Sequence, residues 1–129
     1  MLLAKVYGAA QAKADVVISL CRMGRNQLYC ASQAAIWLLD SDDPDANPNL
    51  DFILRDLATS MVRWRRQGKT VLVHCVQAES RTPAVAAAYL AERFGLSGEE
   101  ALTRVRGQLP RTRANKAFAE AVRRRWRGW

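Results

Sequence analysis

Val71-Leu72-Val73-His74-Cys75-Val76-Gln77-Ala78-Glu79-Ser80-Arg81-Thr82-Pro83 is the stretch whose reading decides the fold. An apolar, β-branched run ends in His-Cys, five residues intervene, and Arg-Thr-Pro opens an alanine-rich segment of helical character. A strand that is apolar on both faces, here predicted over Thr70–Val73, belongs in the middle of a parallel sheet. In open α/β sheets, ligands bind where such strands end and loops lead into helices. Cys75 stands at that joint.

Moving outward, Asp15-Val16-Val17-Ile18-Ser19-Leu20 reads as a second buried strand. A further apolar run, Ala34 to Leu39, stops at an aspartate cluster, and the intervening Cys21 to Gln33 reads as a loop. Asp40 to Asn49 holds four aspartates, two prolines and two asparagines, which is turn chemistry. Leu50, Ile53, Leu54, Leu57, Met61 and Trp64 then recur at helical spacing, with Gly68 as the stop. Helices are predicted over Thr82–Phe94, Ser97–Gln108 and Asn115–Arg125, with Ser97 and Glu100 as a capping box and Gly95 ending the first of them. Met1 to Gly8 fits a first strand. The alternation implies an α/β fold: a three-layer type of sandwich around a mostly parallel central sheet, with right-handed crossovers. With no repeat and no linker, residues 1–129 read as a single domain.

The composition is that of an ordinary globular chain, long enough to bury a core without disulfides or a structural metal. Three cysteines (Cys21, Cys30, Cys75) and one histidine give no metal-ligand spacing, and an odd count without a signal peptide points to reduced thiols in a cytoplasmic setting. No apolar run approaches the roughly 20 residues that span a bilayer. The net charge of +8 suits anionic ligands, and much of the excess lies between Arg104 and Arg127. The run Arg123-Arg124-Arg125-Trp126-Arg127 reads either as a solvated helix end complementing the dipole or as a surface for an anionic partner.

The chemistry of the opening stretch follows from its residue types. If Val76, Gln77, Ala78, Glu79 and Ser80 curl round a ligand, their backbone N–H groups converge on an anion as in a nest. A helix beginning near Arg81 aims its positive end at the same point. Those dipoles favour the thiolate of Cys75. The planar fork of Arg81 matches two oxygens of a phosphoryl group. In-line attack by Cys75 would give a phosphocysteine, and Ser80 or Thr82 is placed to hydrogen-bond the thiolate when water attacks that intermediate. A carboxylic acid must protonate the departing oxygen. The loop after the second apolar run offers Asp40, Asp42, Asp43 and Asp45; Asp43, followed by Pro44, is the choice, with Asp42 and Asp45 behind it. Turn formation is the competing reading for the others.

His74-Cys75, five residues and Arg81-Thr82 resemble the signature of the cysteine-based protein tyrosine and dual-specificity phosphatases. The Val-Leu-Val strand, the helix at Thr82-Pro83 and an aspartate loop about 30 residues upstream fit the same context. Ala114-Asn115-Lys116-Ala117-Phe118 resembles the Pro-Asn-x-x-Phe stretch that opens the last helix of dual-specificity members. The resemblance covers roughly Asp15 to Val122 and suggests a small atypical, bacterial-like member. It implies a nucleophile at Cys75, a phosphate-binding loop from Val76 to Arg81, a hydroxyl assisting at Ser80 or Thr82, a general acid around Asp43 and a phosphorylated protein as substrate. It implies that His74 hydrogen-bonds and orients the cysteine loop, and it implies neither metal nor organic cofactor. The chain departs from the pattern at Ala78, where members usually carry glycine; a Cβ resists φ > 0, so a slightly altered loop or a narrower substrate range is expected. Glu79 is expected to face solvent or pair with an arginine.

Three other readings of the motif remain beside this one: a phosphate-binding module without turnover, an RNA or nucleotide phosphatase favoured by the basic tail, and a sulfur or arsenate enzyme with a similar loop. Cys21 and Cys30 read as buried small hydrophobes. Trp37 and Trp64 read as core, Trp126 and Trp129 as tail residues that pack on the domain or bind a partner, and Arg22 and Arg25 as solvated or lining the pocket mouth.

Overall fold

A computed structural model describes residues 2–5, 14–20, 30–36, 38–39, 41–75, 81–108 and 114–127; for 2–5, 30–35 and 75 it describes the backbone alone. Four strands, β1 (Leu2–Lys5), β2 (Ala14–Ser19), β3 (Cys30–Ala35) and β4 (Val71–Cys75), form one sheet in the order β1-β4-β2-β3. Every pairing is parallel, with Ile18 opposite Val73 and Ser19 opposite His74. The entry of the two central strands is pinned at Thr70: its carbonyl accepts the N–H groups of Asp15 and Val16, each at 3.0 Å, and its own N–H donates to Asp15 Oδ2 at 2.8 Å.

Both faces of β2 and β4 are buried, as a central parallel pair requires. Val16, Ile18, Leu20, Val71 and Val73 belong to the main core, while Val17, Leu72, Ser19 and His74 alternate with them and are buried as well. The expected α/β architecture around a parallel sheet is thus present, and the expected first strand lies at one sheet edge.

The third strand is displaced from its expected place. Residues 30–33, read as the end of a loop, already pair with β2, and the apolar run at 34–39 contributes only its first two residues to β3. Beyond it the chain still tracks β2, with Ile36 N–H donating to Ser19 carbonyl at 2.9 Å and Leu38 N–H to Leu20 carbonyl at 3.4 Å. The Cys-Ala-Ser-Gln-Ala-Ala sequence of β3 carries little strand preference; its pairing with β2 decides its state.

Among the described residues, four helices follow the loops: α1 (Leu50–Arg66), α2 (Arg81–Phe94), α3 (Gly98–Gln108) and α4 (Lys116–Arg125). The stripe Leu50, Leu54, Leu57, Ala58, Met61, Val62 of α1 is buried; Ile53 and Trp64 pack half-buried beside it. Gly68 and Gly95 take the left-handed φ of +78° and +67° expected of helix stops. Thr82 through Tyr89 of α2 are all buried, since this helix packs against β4, α1, α3 and α4. Its alanines let four neighbours approach, at the cost of side-chain area. The capping box forms in a variant geometry, Ser97 Oγ accepting Glu100 N–H at 3.2 Å while its hydroxyl meets Glu100 Oε1 at 3.3 Å.

The end of α4 locks onto the start of α3. Gly98 sits so close that a Cβ there would lie 2.5 Å from the carbonyl oxygen of Val122, and its N–H donates to Trp126 carbonyl. Phe118 is fully buried under α4, which contributes about 1.5–3 kcal/mol.

Candidate active site

The strands are parallel, so β2 and β4 end on one edge of the sheet, and the cysteine motif straddles it. β4 terminates at Cys75 and α2 begins at Arg81. Arg81 is half-buried and its guanidinium reaches across that edge: Nη1 donates to Leu38 carbonyl at 3.0 Å and, at the 3.5 Å limit, to Leu20 carbonyl. Arg81 therefore gathers the ends of three chain paths, those leaving β2, β3 and β4. Its Nε is buried and meets no acceptor among the described residues. A buried guanidinium N–H without an acceptor is costly, and oxyanions suit this donor best. Thr82 is fully buried behind it. Val76, Gln77, Ala78, Glu79 and Ser80 lie outside the described residues, as does the side chain of Cys75.

His74 is fully buried, and its Nε2 lies 2.7 Å from Ser19 Oγ, the residue directly opposite in the ladder. The Ser19–His74 pair stitches β2 to β4 one residue before the cysteine. Burial disfavours the imidazolium and lowers the pKa of His74 below the ordinary 6.5. Sequence reasoning misses Ser19, although a lone hydroxyl residue at the end of an otherwise apolar strand is the available signal. A stability consequence follows. An unfolded chain protonates this imidazole below about pH 6.5, the folded chain only at lower pH, so the contribution is complete above that value and is lost as pH falls. His74 is the sole histidine. Urea unfolding between about pH 7 and pH 5 should show stability falling by up to about 1.4 kcal/mol per pH unit; the fall should be absent in His74→Gln. A flat wild-type profile would mean that His74 accepts its proton without cost.

The acidic loop is closed at its base by Asn47, which is buried: Leu39 N–H donates to Asn47 Oδ1 and Asn47 Nδ2 donates to Leu39 carbonyl, both at 2.9 Å. Asp43 is exposed and shapes a turn, its Oδ1 accepting Asp45 N–H at 2.9 Å and its N–H donating to Ser41 Oγ at 3.1 Å. Asp42 Oδ1 instead accepts the N–H of Lys116 at 2.9 Å, at the head of α4. Asp45 is exposed and Asp40 lies outside the described residues. No cluster of three or more potential metal ligands occurs among the described residues.

The basic tail is partly committed within the chain. Arg123 pairs with Glu99 at 2.5 Å; Arg124 takes Asp51 in a fork of 2.5 and 2.8 Å, which lowers the Asp51 pKa through that hydrogen bond. Such exposed pairs contribute about 0–1 kcal/mol each. Trp126 packs on the domain, buried, with its indole N–H on Glu92 at 2.9 Å. Cys21, Arg22, Arg25, Trp37 and Trp129 lie outside the described residues, as does the Cys30 side chain. No helix among the described residues is long and apolar enough to cross a membrane.

The sequence model of the dual specificity phosphatase catalytic domain matches residues 7–125. Dual specificity protein phosphatase 1 of Arabidopsis thaliana is 31% identical over 70 residues, which are 54% of this chain and 35% of that protein. The chain thus matches about a third of that relative's length. Among solved structures, a single-substitution variant of human DUSP28 superposes with a TM-score of 0.81 at 24% identity, over 97% of this chain and 88% of that one. A mouse putative dual specificity phosphatase gives 0.76 at 21% identity, over 97% and 80%. The family match takes in the described sheet beyond β1 and the four described helices, and the chain belongs to the dual specificity phosphatase catalytic domains.

Proposed function

We propose that residues 1–129 form one catalytic domain that hydrolyses phosphate monoesters of protein side chains, phosphotyrosine above all with phosphoserine and phosphothreonine beside it. Cys75 Sγ attacks phosphorus in line; the P–O bond to the leaving group breaks, and a loop carboxylic acid gives that oxygen its proton. Water then attacks the phosphocysteine, the same carboxylate takes up the proton, and the S–P bond breaks to return the thiolate, which Ser80 or Thr82 hydrogen-bonds. Backbone N–H groups from Val76 to Ser80 and the Arg81 fork hold the equatorial oxygens. His74, tied to Ser19, holds the end of β4. The observation that carries this reading is Arg81 itself, led by α2 to the carboxyl edge of the sheet beside the end of β4, with an Nε–H that has no acceptor among the described residues. The mouse relative was solved as a complex with zinc tungstate.

The proton comes from Asp43, followed by Pro44, with Asp42 and Asp45 behind it; all three are exposed. The Arg81–Leu38 contact speaks for Asp40, because two residues of chain span at most about 7 Å. A thiolate nucleophile also suits a reducing compartment such as the cytoplasm. An anionic partner would have Arg125 and Arg127 to meet, since Arg123 and Arg124 already pair within the chain.

The test is a panel of p-nitrophenyl phosphate, phenyl phosphate, phosphopeptides and RNA 5′-phosphates. Phosphotyrosyl peptide should be the best macromolecular substrate, with vanadate inhibiting. In Asp43→Asn, phenyl phosphate should lose about 10²-fold and p-nitrophenyl phosphate far less; the same pattern in Asp42→Asn, Asp45→Asn or Asp40→Asn would move the role there. Tight phosphopeptide binding without turnover would make the chain a binding module, and preference for RNA ends would make it a nucleic-acid phosphatase.

A further inference from the structure

Leu38 and Leu39 carry the chain from β3 into the acidic loop, and each of their four backbone polar groups has a partner. Leu38 N–H donates to Leu20 carbonyl at 3.4 Å, just past the end of β2, and Leu38 carbonyl accepts Arg81 Nη1 at 3.0 Å. The N–H and the carbonyl of Leu39 both go to the side-chain amide of Asn47, each at 2.9 Å. A primary amide suits that task, since it offers an acceptor oxygen and donor hydrogens side by side, as a neighbouring strand would. Asn47 is buried, and its backbone carbonyl accepts the N–H of Leu50 at 3.1 Å, where α1 begins. One residue thus joins the head of α1 to the chain leaving β3.

We propose that Asn47 is a positioning residue for the phosphatase reaction: its amide buckles the acidic loop shut at Leu39 and thereby holds the proton donor in register with Arg81. This rests on the reading that a carboxyl of this loop protonates the leaving group. It holds for every candidate, because Asp40, Asp42, Asp43 and Asp45 all lie between the two buckled residues. The path to the phosphate ligand is short: Asn47 grips Leu39, the adjoining Leu38 carbonyl grips Arg81, and Arg81 opens α2. Leu38 and Leu50 are buried, so the chain is seated in the core on both sides of the loop. The bonds at Asp43 are internal to its turn and shape it without setting where it stands. Leu39 itself is 60% exposed, so water can take over its backbone hydrogen bonds when the amide is removed. The cost then falls on the placement of the loop more than on the fold. A loop without its closing tie samples many placements, and a displacement of about 1 Å at a reacting group can cost 10²-fold.

Asn47→Ala removes both bonds, and Asn47→Asp keeps the Oδ1 acceptor but sets a carboxylate against Leu39 carbonyl. Both should lower kcat for phenyl phosphate about tenfold and kcat for p-nitrophenyl phosphate by less than about threefold, since that leaving group needs little protonation. KM for either ester should be little changed. Asn47→Ala is then added to whichever aspartate-to-asparagine variant itself shows this leaving-group pattern. There it should cost phenyl phosphate no more than about a further twofold, because the donor whose placement it sets is gone. Amide exchange at Leu39 should be slow in the wild type, despite the exposure of that residue, and fast in Asn47→Ala. A wild-type Leu39 amide that exchanges as freely as that of an unstructured chain overturns the proposal without need of a variant. Equal losses for the two esters overturn it as well, for Asn47 then acts through Arg81 or through the fold. So does wild-type kcat for phenyl phosphate in Asn47→Ala, or a full further tenfold loss in the double variant. A wild type that turns over neither ester would defeat the proposed function instead, and the exchange measurement would still report the buckle.

Discussion

Cys75→Ser is expected to lower turnover of p-nitrophenyl phosphate by about 10³-fold or more while leaving the affinity for phosphate and for phosphopeptide nearly intact. The reason lies in the element that precedes Arg81. Cys75 ends β4 and α2 begins at Arg81; on the proposed reading, oriented backbone dipoles there favour the ionised thiol. A serine hydroxyl in the same place ionises far too weakly to attack phosphorus, yet differs little in size. The substitution leaves Arg81 and the proposed phosphate loop unchanged, so binding should survive and chemistry should not. The same argument predicts that Cys75 is alkylated by iodoacetate at about pH 6 some tenfold faster than Cys21 or Cys30, because the gain in thiolate outweighs the loss of nucleophilicity that accompanies a lower pKa. Phosphate or vanadate should protect it. Equal alkylation of the three cysteines, or undiminished turnover in Cys75→Ser, would remove the nucleophile from the mechanism.

Arg81→Lys keeps the charge and should still lower kcat/KM by about 10²–10³-fold. Lysine offers a point charge on a flexible stem, whereas the guanidinium presents a planar fork to two oxygens at once. The structure adds a second reason. One nitrogen of the fork is already committed to Leu38 carbonyl at 3.0 Å, which fixes the plane of the group, and Nε has no acceptor among the described residues. Lysine has no atom that holds the carbonyl and leaves another donor in a fixed direction. The loss should fall mainly on kcat, since charge that grows on the equatorial oxygens in the transition state is met by a pre-set donor pair. A variant that keeps wild-type kcat with a raised KM would mean that Arg81 binds the ground state only.

The central joint is legible because its signals are local. Val71–Cys75 has the apolar density of a buried parallel strand, Gly68 and Gly95 supply left-handed stops, and Ser97 and Asn115 are side chains that cap the helices they precede. Helix α1 is readable from its stripe, since Leu50, Leu54, Leu57 and Met61 share one face. The place of β3 is not, because its own residues say little: the alanines, serine and glutamine of Cys30–Ala35 become a strand by pairing with β2, and that pairing is not encoded nearby. The partners of His74, Asp42 and Trp126 are equally invisible. Ser19, Lys116 and Glu92 lie 55, 74 and 34 positions away, and nothing in the spacing joins them.

The residue types and spacing of one short stretch are enough to establish that this chain carries an apolar strand ending in a cysteine and, after five intervening residues, an arginine-led helix. Only the folded arrangement decides that Arg81 reaches Leu38, that Ser19 meets His74, and that Asp42 accepts the N–H of Lys116 at the head of α4. Strand, cap and turn preferences act over a few residues and can be read in order. Contacts across a sheet edge depend on how separate elements pack, and only the folded chain sets those distances.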